Sequence, residues 1–261
     1  MPYTVTQTTG FDSVIARLND ATGHYAASYI ADHKQRCIDD ARRLAREFPG
    51  ARILNVGGTP YLFEYIAREL GLDVVTVDLD PSRDPQQLAD LGINVQQVDI
   101  ETPEGRSAVD FQSYDVVVMA EILEHMRIDL VATLRGIAES LRADARIYLT
   151  TPNFYYAPSF ARMLAEGRSG PPLVKEWRKI GEVGHMGHVR EYTRRELEEL
   201  FAFCGLVVES LTVRNCREVD VRGGGAAQYP LRLLANALAR RFDRFGQELV
   251  YLLRPAAEQT R

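Results

Sequence analysis

The chain has 261 residues, 46% hydrophobic and 26% charged, with a formal net charge of -5. That length suits one large α/β domain or a core domain carrying insertions, and the composition is that of an ordinary globular protein. The acidic balance gives no support to a nucleic-acid partner, which usually calls for a basic surplus or stripe. Three cysteines, Cys37, Cys204 and Cys216, lack C-x-x-C spacing and so disfavour a disulfide framework or a zinc cage. Residues 1–10 carry no basic patch followed by an apolar run, and no stretch approaches the ~18 apolar residues of a membrane span. A cytoplasmic protein is expected.

Apolar residues recur with helical period from Ser28 to Phe48, at Ile30, Cys37, Ile38, Ala41, Leu44, Ala45 and Phe48, and Pro49-Gly50 ends the run. Residues 1–49 read as an N-terminal helical cap. Tyr25 or Tyr29 could touch a cofactor from it, with simple packing on a sheet as the alternative; His24 and His33 read as surface or lid residues.

Residues 52–61 then read as an apolar strand, a glycine turn and a helix start. Adjacent Gly57 and Gly58 let the backbone turn sharply and approach a ligand without a Cβ in the way. Thr59 suits the N-cap, and Pro60 the first position, of a helix running to Leu70. About 20 residues on, the strand 73–78 ends in Asp78, placed as an acid that accepts hydrogen bonds from a ribose diol. A dinucleotide and S-adenosylmethionine (SAM) both fit this pair, and so does an ordinary strand–turn–helix corner. The fingerprint G-x-G-x-x-G is incomplete, with Thr59-Pro60-Tyr61-Leu62 where further glycines would fall.

Strands and helices continue to alternate: a helix at 85–91, a strand at 95–98 closed by Asp99-Ile100, a short helix near 103–109, a strand at 115–119, a helix at 129–141 and a strand at 146–150. Such alternation, with continuous apolar strands, predicts a parallel sheet with helices on both faces. Residues 152–190 break it with four prolines and the sole tryptophan, Trp177, and read as a substrate lid or a plain surface excursion. Thr193 and Glu196 form a capping box for a helix with Leu197, Leu200, Phe201 and Cys204 on one face. A sixth strand at 206–213 and a seventh at 248–253 flank a stretch at 215–229, expected to be mobile, and a helix at 230–242. Arg232, Arg240, Arg241 and Arg244 make that helix region basic; a solvated outer helix is expected there rather than a membrane or partner surface.

Six segments stand in one order over about residues 50–213: ILNVGGTPYL (53–62), VVTVDLDP (74–81), VQQVDIE (95–101), YDVVVMAEILEHM (114–126), LRADARIYLTTPN (141–153) and GHVREYTRRELEELFAFCGL (187–206). Together they resemble the class I SAM-dependent methyltransferases. The resemblance implies a doubly wound, mostly parallel seven-stranded sheet, with residues 50–254 as the SAM-binding domain. Within it, 152–190 would be an acceptor lid and 215–246 a second insertion, with 255–261 as a tail. It implies that Gly57 and Gly58 approach the methionine portion of SAM, Asp78 the ribose, and Asp99 and Ile100 the adenine, with Ala120 and Glu121 beside the cofactor and Thr59 and Leu79 also binding it. Two departures stand out: Asn55 occupies a position that is usually an acid, and the loop is one residue short with Pro60 in place of a late glycine.

A hydroxyl acceptor needs a base or a metal to lose its proton. Glu121, Glu124 and His125 have the i, i+3, i+4 spacing that shares one face of a helix. His185 and His188 could meet that face, and two acids with imidazoles can hold a divalent cation such as Mg²⁺. E-x-x-E-H with a distant histidine resembles the magnesium site of small-RNA 2′-O-methyltransferases and ubiquinone-pathway O-methyltransferases. The same spacing occurs in metal-free relatives, so a histidine base without metal stays open, His125 first, then His185 and His188. The combination of Thr151-Pro152-Asn153, a long lid and GHVREYT resembles small O-methyltransferases of glycan and secondary-metabolite pathways. It implies a sugar or glycoside hydroxyl as acceptor, or a phenol of polyketide or quinone type. A SAM-binding regulatory protein without turnover is the alternative from another class, and a homodimer stays open beside a monomer.

Overall fold

The computed structural model describes residues 27–59, 61–83, 85–167, 172–183, 187–216 and 229–256. Its seven strands stand in the order β3-β2-β1-β4-β5-β7-β6, and the chain divides into two compact units, 1–98 and 99–261.

The first unit runs α1 (Ala27–Glu47), β1 (Arg52–Val56), α2 (Leu62–Glu69), β2 (Asp73–Asp78), α3 (Pro85–Leu91) and β3 (Val95–Gln97). β1 pairs with β2, and β2 with β3, all parallel, so each crossover is a helix as parallel pairing requires. Ile53, Leu54 and Val56 are buried on β1, and α1 packs on α2. His33, expected at the surface, is instead buried on α1. His24 and Tyr25 lie outside the described residues, as does the Tyr29 side chain.

The second unit runs α4 (Pro103–Ser107), β4 (Val116–Ala120), α5 (Leu130–Ser140), β5 (Arg146–Pro152), α6 (Ala157–Glu166), α7 (Leu173–Val183), α8 (Arg194–Phe203), β6 (Leu206–Arg214), α9 (Tyr229–Arg241) and β7 (Glu248–Pro255). β4 and β5 are parallel, whereas β7 is antiparallel to both β5 and β6. Val116–Met119 and Ile147–Leu149 are fully buried, which explains why these strands are continuous apolar runs. The capping box at Thr193 is formed in both directions.

Residues 152–190 hold two helices, α6 and α7. α6 packs on α9 through Ala157, Ala235 and Ala239, with Tyr156, Ala161, Leu238 and Phe245 around them. Small residues let the two helices approach closely, so segments separated by β6 in the sequence meet in space. Asn153 fixes their base: its Nδ2 donates to the Arg244 carbonyl at 3.0 Å and the Gly246 carbonyl at 2.8 Å, and its Oδ1 accepts from the Tyr155 N–H at 3.1 Å. Most of the glycine-rich stretch expected to be mobile, from 217 to 228, lies outside the described residues. Among the described residues, no helix is long and apolar enough to cross a membrane.

Candidate functional site

In the first unit, the turn after β1 is shaped by Asp78. Its Oδ2 accepts from the Gly58 N–H at 2.9 Å and from the Thr59 N–H and hydroxyl at 3.4 Å each, while Oδ1 accepts from the Asp80 N–H at 3.1 Å. Gly57 sits at φ +75°, a conformation that only glycine adopts without cost, and its N–H donates to the Val77 carbonyl. Thr59 is therefore committed to Asp78 and does not cap the helix. The N-cap is Tyr61, in a left-handed conformation at φ 61° with no side-chain cap, and α2 starts at Leu62. Pro60 lies outside the described residues. Leu79 is exposed, and its carbonyl accepts from Gln97 Nε2 at 3.2 Å.

Gly58 is needed for room rather than for φ. A Cβ there would stand 2.3 Å from Glu64 Oε1 and 2.6 Å from Tyr61 Cδ1. Glu64 is buried on α2, and its Oε1 accepts from Asn55 Nδ2 at 2.8 Å and Thr76 Oγ1 at 3.0 Å. Burial pushes its carboxyl up to about 7 against the pull of those hydrogen bonds, and the charge of Asp78 adds to the rise. Glu64 was not singled out from the sequence. The signal lay in two polar residues on otherwise apolar strands, Asn55 in β1 and Thr76 in β2, which need a buried polar partner.

In the second unit, two arginines hold the turn Asp99-Ile100-Glu101. Arg106 Nη1 donates to the carbonyls of Ile100 and Glu101 at 3.1 and 2.9 Å. Arg127 pairs with Asp99 Oδ2 at 3.3 Å and Glu101 Oε1 at 3.1 Å, and the Arg127 and Ile128 N–H groups both donate to Glu101 Oε2 at 2.6 Å. Glu101 and Arg127 are further residues that spacing alone did not mark.

β4 ends at Ala120, and the next residue, Glu121, turns into the left-handed region at φ 58°. Its N–H still donates to the Thr150 carbonyl at 2.9 Å, and Thr150 Oγ1 donates to its Oε1 at 3.3 Å. A non-glycine residue held there costs about 1 kcal/mol, which is the kind of strain that collects at functional sites. Glu121, Glu124 and His125 do not lie on one helix face, although their spacing would allow it. A 3₁₀ turn at Leu123–His125 follows instead, and α5 begins only at Leu130, capped by Asp129. The i, i+4 argument therefore fails for Glu121.

What does converge is Glu124, His125 and His188, each offering a ligand atom within 4.8 Å of the others; Glu121 is not in this group. The N–H groups of Val189 and Arg190 both donate to the Glu124 carbonyl, at 2.7 and 3.3 Å, and this docks the 187–190 segment beside the 3₁₀ turn. The two imidazoles meet edge to face with centroids 4.9 Å apart. His125 Nδ1 lies 3.2 Å from the Gly187 carbonyl and His188 Nδ1 lies 3.0 Å from Glu191 Oε1. A carbonyl can only accept, so Nδ1 of His125 carries the hydrogen and its Nε2 carries a lone pair when neutral. Fully buried Glu124 accepts from Thr151 Oγ1 at 3.0 Å. Tyr192 lies nearby, and burial raises its phenol above the ordinary value. His185 lies outside the described residues.

Residues 24–211 match the family described as a methyltransferase domain. The chain is 34% identical over 110 residues to the ubiquinone biosynthesis O-methyltransferase of Salmonella paratyphi A, covering 40% of this chain and 43% of that one. It is 38% identical over 109 residues to the enzyme of the same name from Xanthomonas campestris pv. campestris, covering 40% and 44%. The matches thus span less than half the length of these curated relatives. A chain from the complex of the Haloferax volcanii Trm112 methyltransferase activator with a methyltransferase superposes with a TM-score of 0.57 at 17% identity, covering 95% of this chain and 98% of that one, which bears on the fold alone. With the family match spanning most of the chain over this seven-stranded order, the protein belongs to the class I SAM-dependent methyltransferases.

Proposed function

We propose that the chain is a SAM-dependent O-methyltransferase acting on a hydroxyl of a small acceptor. The observation that carries this is the meeting of His125, His188 and Glu124 just past the end of β4. SAM supplies an electrophilic methyl on a sulfonium. The residues present fit it: each carboxylate oxygen has two lone pairs, and Asp78 Oδ1 accepts from the Asp80 N–H, so capacity remains for ribose hydroxyls. In this reading Gly57, Gly58 and Thr59 meet the methionine portion, and Leu79 lies by the ribose. Asp99 and Ile100 meet the adenine, with Ala120 and Glu121 close by. The segment 152–190 forms the acceptor lid, with 215–246 a separate insertion.

His125 holds its Nε2 lone pair toward proton transfer because Nδ1 is tied to Gly187, and it takes the hydroxyl proton as the acceptor oxygen attacks the methyl. Holding the acceptor in line and excluding water supply much of the remaining rate. Alternatively the cluster fits a divalent cation, with the His125 Nε2 lone pair given to the ion instead of a proton; the ion would make a hydroxyl more acidic. One carboxylate and two imidazoles suit a first-row transition ion better than Mg²⁺, which favours oxygen ligands. The hydrogen bonds to both Nδ1 atoms are the outer-shell support that ligating histidines use.

Two acceptor classes follow. The names of the relatives favour a phenol of quinone type, whose pKa of about 10 lets imidazole remove the proton without help. The resemblance of the Thr151-Pro152-Asn153, long-lid and GHVREYT segments to glycan-pathway O-methyltransferases favours a sugar hydroxyl, which is less acidic and calls for the cation. Incubation with SAM and a panel of phenols, catechols and glycosides, read by mass spectrometry, is expected to give a product heavier by one methyl, and EDTA is expected to abolish it if the cluster works through a cation. Full activity in chelator would end the metal role and leave His125 as an unaided base. SAM binding with no product from any acceptor would favour the regulatory reading.

A further inference from the structure

A carboxylate that the methyl-transfer chemistry does not use lies against the glycine turn. Glu64 is 2% exposed, and Asn55 Nδ2 joins it to the turn, reaching Glu64 Oε1 at 2.8 Å and the Gly57 carbonyl at 3.4 Å. Glu64 Oε1 crowds Gly58 so closely that no side chain fits there, and Glu64 Oε2 has no hydrogen-bond partner among the described residues. A buried acid with one oxygen unsatisfied is costly in its ionised form, a cost relieved by holding a proton or by a positive charge brought near it. Position 55, usually an acid in the proteins this sequence resembles, is an amide here, and that amide donates to a carboxylate supplied from α2.

We propose that Glu64 is a charge-selecting residue of the cofactor site, whose carboxylate favours the sulfonium of SAM over the neutral thioether of its demethylated product. This rests on the SAM reading above. The groups around Glu64 support it. Asp78 of β2 acts on Glu64 electrostatically, and the Tyr61 ring stands beside Gly58 with it. Arg68, one turn along α2, is committed to the Leu91 and Gly92 carbonyls at 2.6 and 2.9 Å, and α1, which packs on α2, contributes buried His33 and Asp40. Arg68, Val75 and Ile93 line a cavity that Glu64 also lines. With its ionisation placed near 7 by burial, Glu64 changes charge in the physiological range. A cation held near the turn stabilises the ionised form, so SAM binding releases a proton and tightens as pH rises. The product shares the amino-acid and nucleoside portions of SAM, and the ratio of the two affinities isolates the sulfonium.

Calorimetric titrations of the full chain with SAM and with S-adenosylhomocysteine at pH 6 and pH 8 test this. The ratio of affinities, SAM over product, is expected to rise about tenfold between the two pH values in the wild type and to stay flat in Glu64→Gln. The same rise in Glu64→Gln, or a flat ratio in the wild type, would overturn it. A second measurement needs no variant: in buffers of different ionisation enthalpy at pH 7, the wild type is expected to release more proton on binding SAM than on binding the product. Equal release would overturn the inference. Binding of neither ligand by the wild type would overturn the cofactor reading itself, whereas binding of both with a flat ratio removes only the role of Glu64.

Discussion

Replacing His125 with alanine is expected to lower turnover by about 10²- to 10⁴-fold, the range for loss of a positioned general base, with little change in SAM affinity. The reason is local. His125 touches Gly187 and His188, both on the segment docked by the Glu124 carbonyl, where the proposed chemistry takes the acceptor proton. Rate measurements at saturating SAM, with calorimetry on the same variant, separate the two effects. An unchanged rate would remove His125 from the chemistry. A rate loss that persists in an EDTA-insensitive enzyme marks a base, and one that EDTA reproduces in the wild type marks a metal ligand.

Replacing Gly58 with alanine is expected to weaken SAM binding at least tenfold and to destabilise the fold by about 1–3 kcal/mol, the cost of forcing a methyl into a filled space. The two atoms a Cβ would strike are poorly able to move. Glu64 Oε1 is held by Asn55 and Thr76, and Tyr61 is fully buried in its left-handed conformation. The turn itself must shift, taking the Gly58 and Thr59 N–H groups off Asp78. Thermal denaturation with and without SAM reads both effects, and a variant that melts and binds like the wild type would contradict the crowding.

The strands were legible because parallel, doubly covered strands must be nearly continuous apolar runs, as at Val116–Met119. Helical period located α1, α5 and α8 for the same kind of reason. Legibility failed where a local pattern had two outcomes. Thr59-Pro60 is a good helix start in isolation, but the carboxylate of Asp78, 19 residues away in sequence, competes for the Thr59 hydroxyl and wins. The E-x-x-E-H spacing suggests a helix face, yet Glu121 adopts φ 58° after β4 and leaves only a 3₁₀ turn. That His188 would reach His125 depends on two backbone N–H groups finding the Glu124 carbonyl, a long-range pairing with no local sequence signature. Glu64 was hidden for the opposite reason: a glutamate in a short amphipathic helix looks like a solvated residue unless Asn55 and Thr76 are read as its partners.

The central claim is that the turn organised by Asp78 binds SAM, and calorimetric titration of SAM into the wild type and Asp78→Ala tests it most directly. Loss of hydrogen bonds to a charged group costs about 1.5–3 kcal/mol, so the variant is expected to bind at least tenfold more weakly. Equal binding by the two proteins would contradict the account.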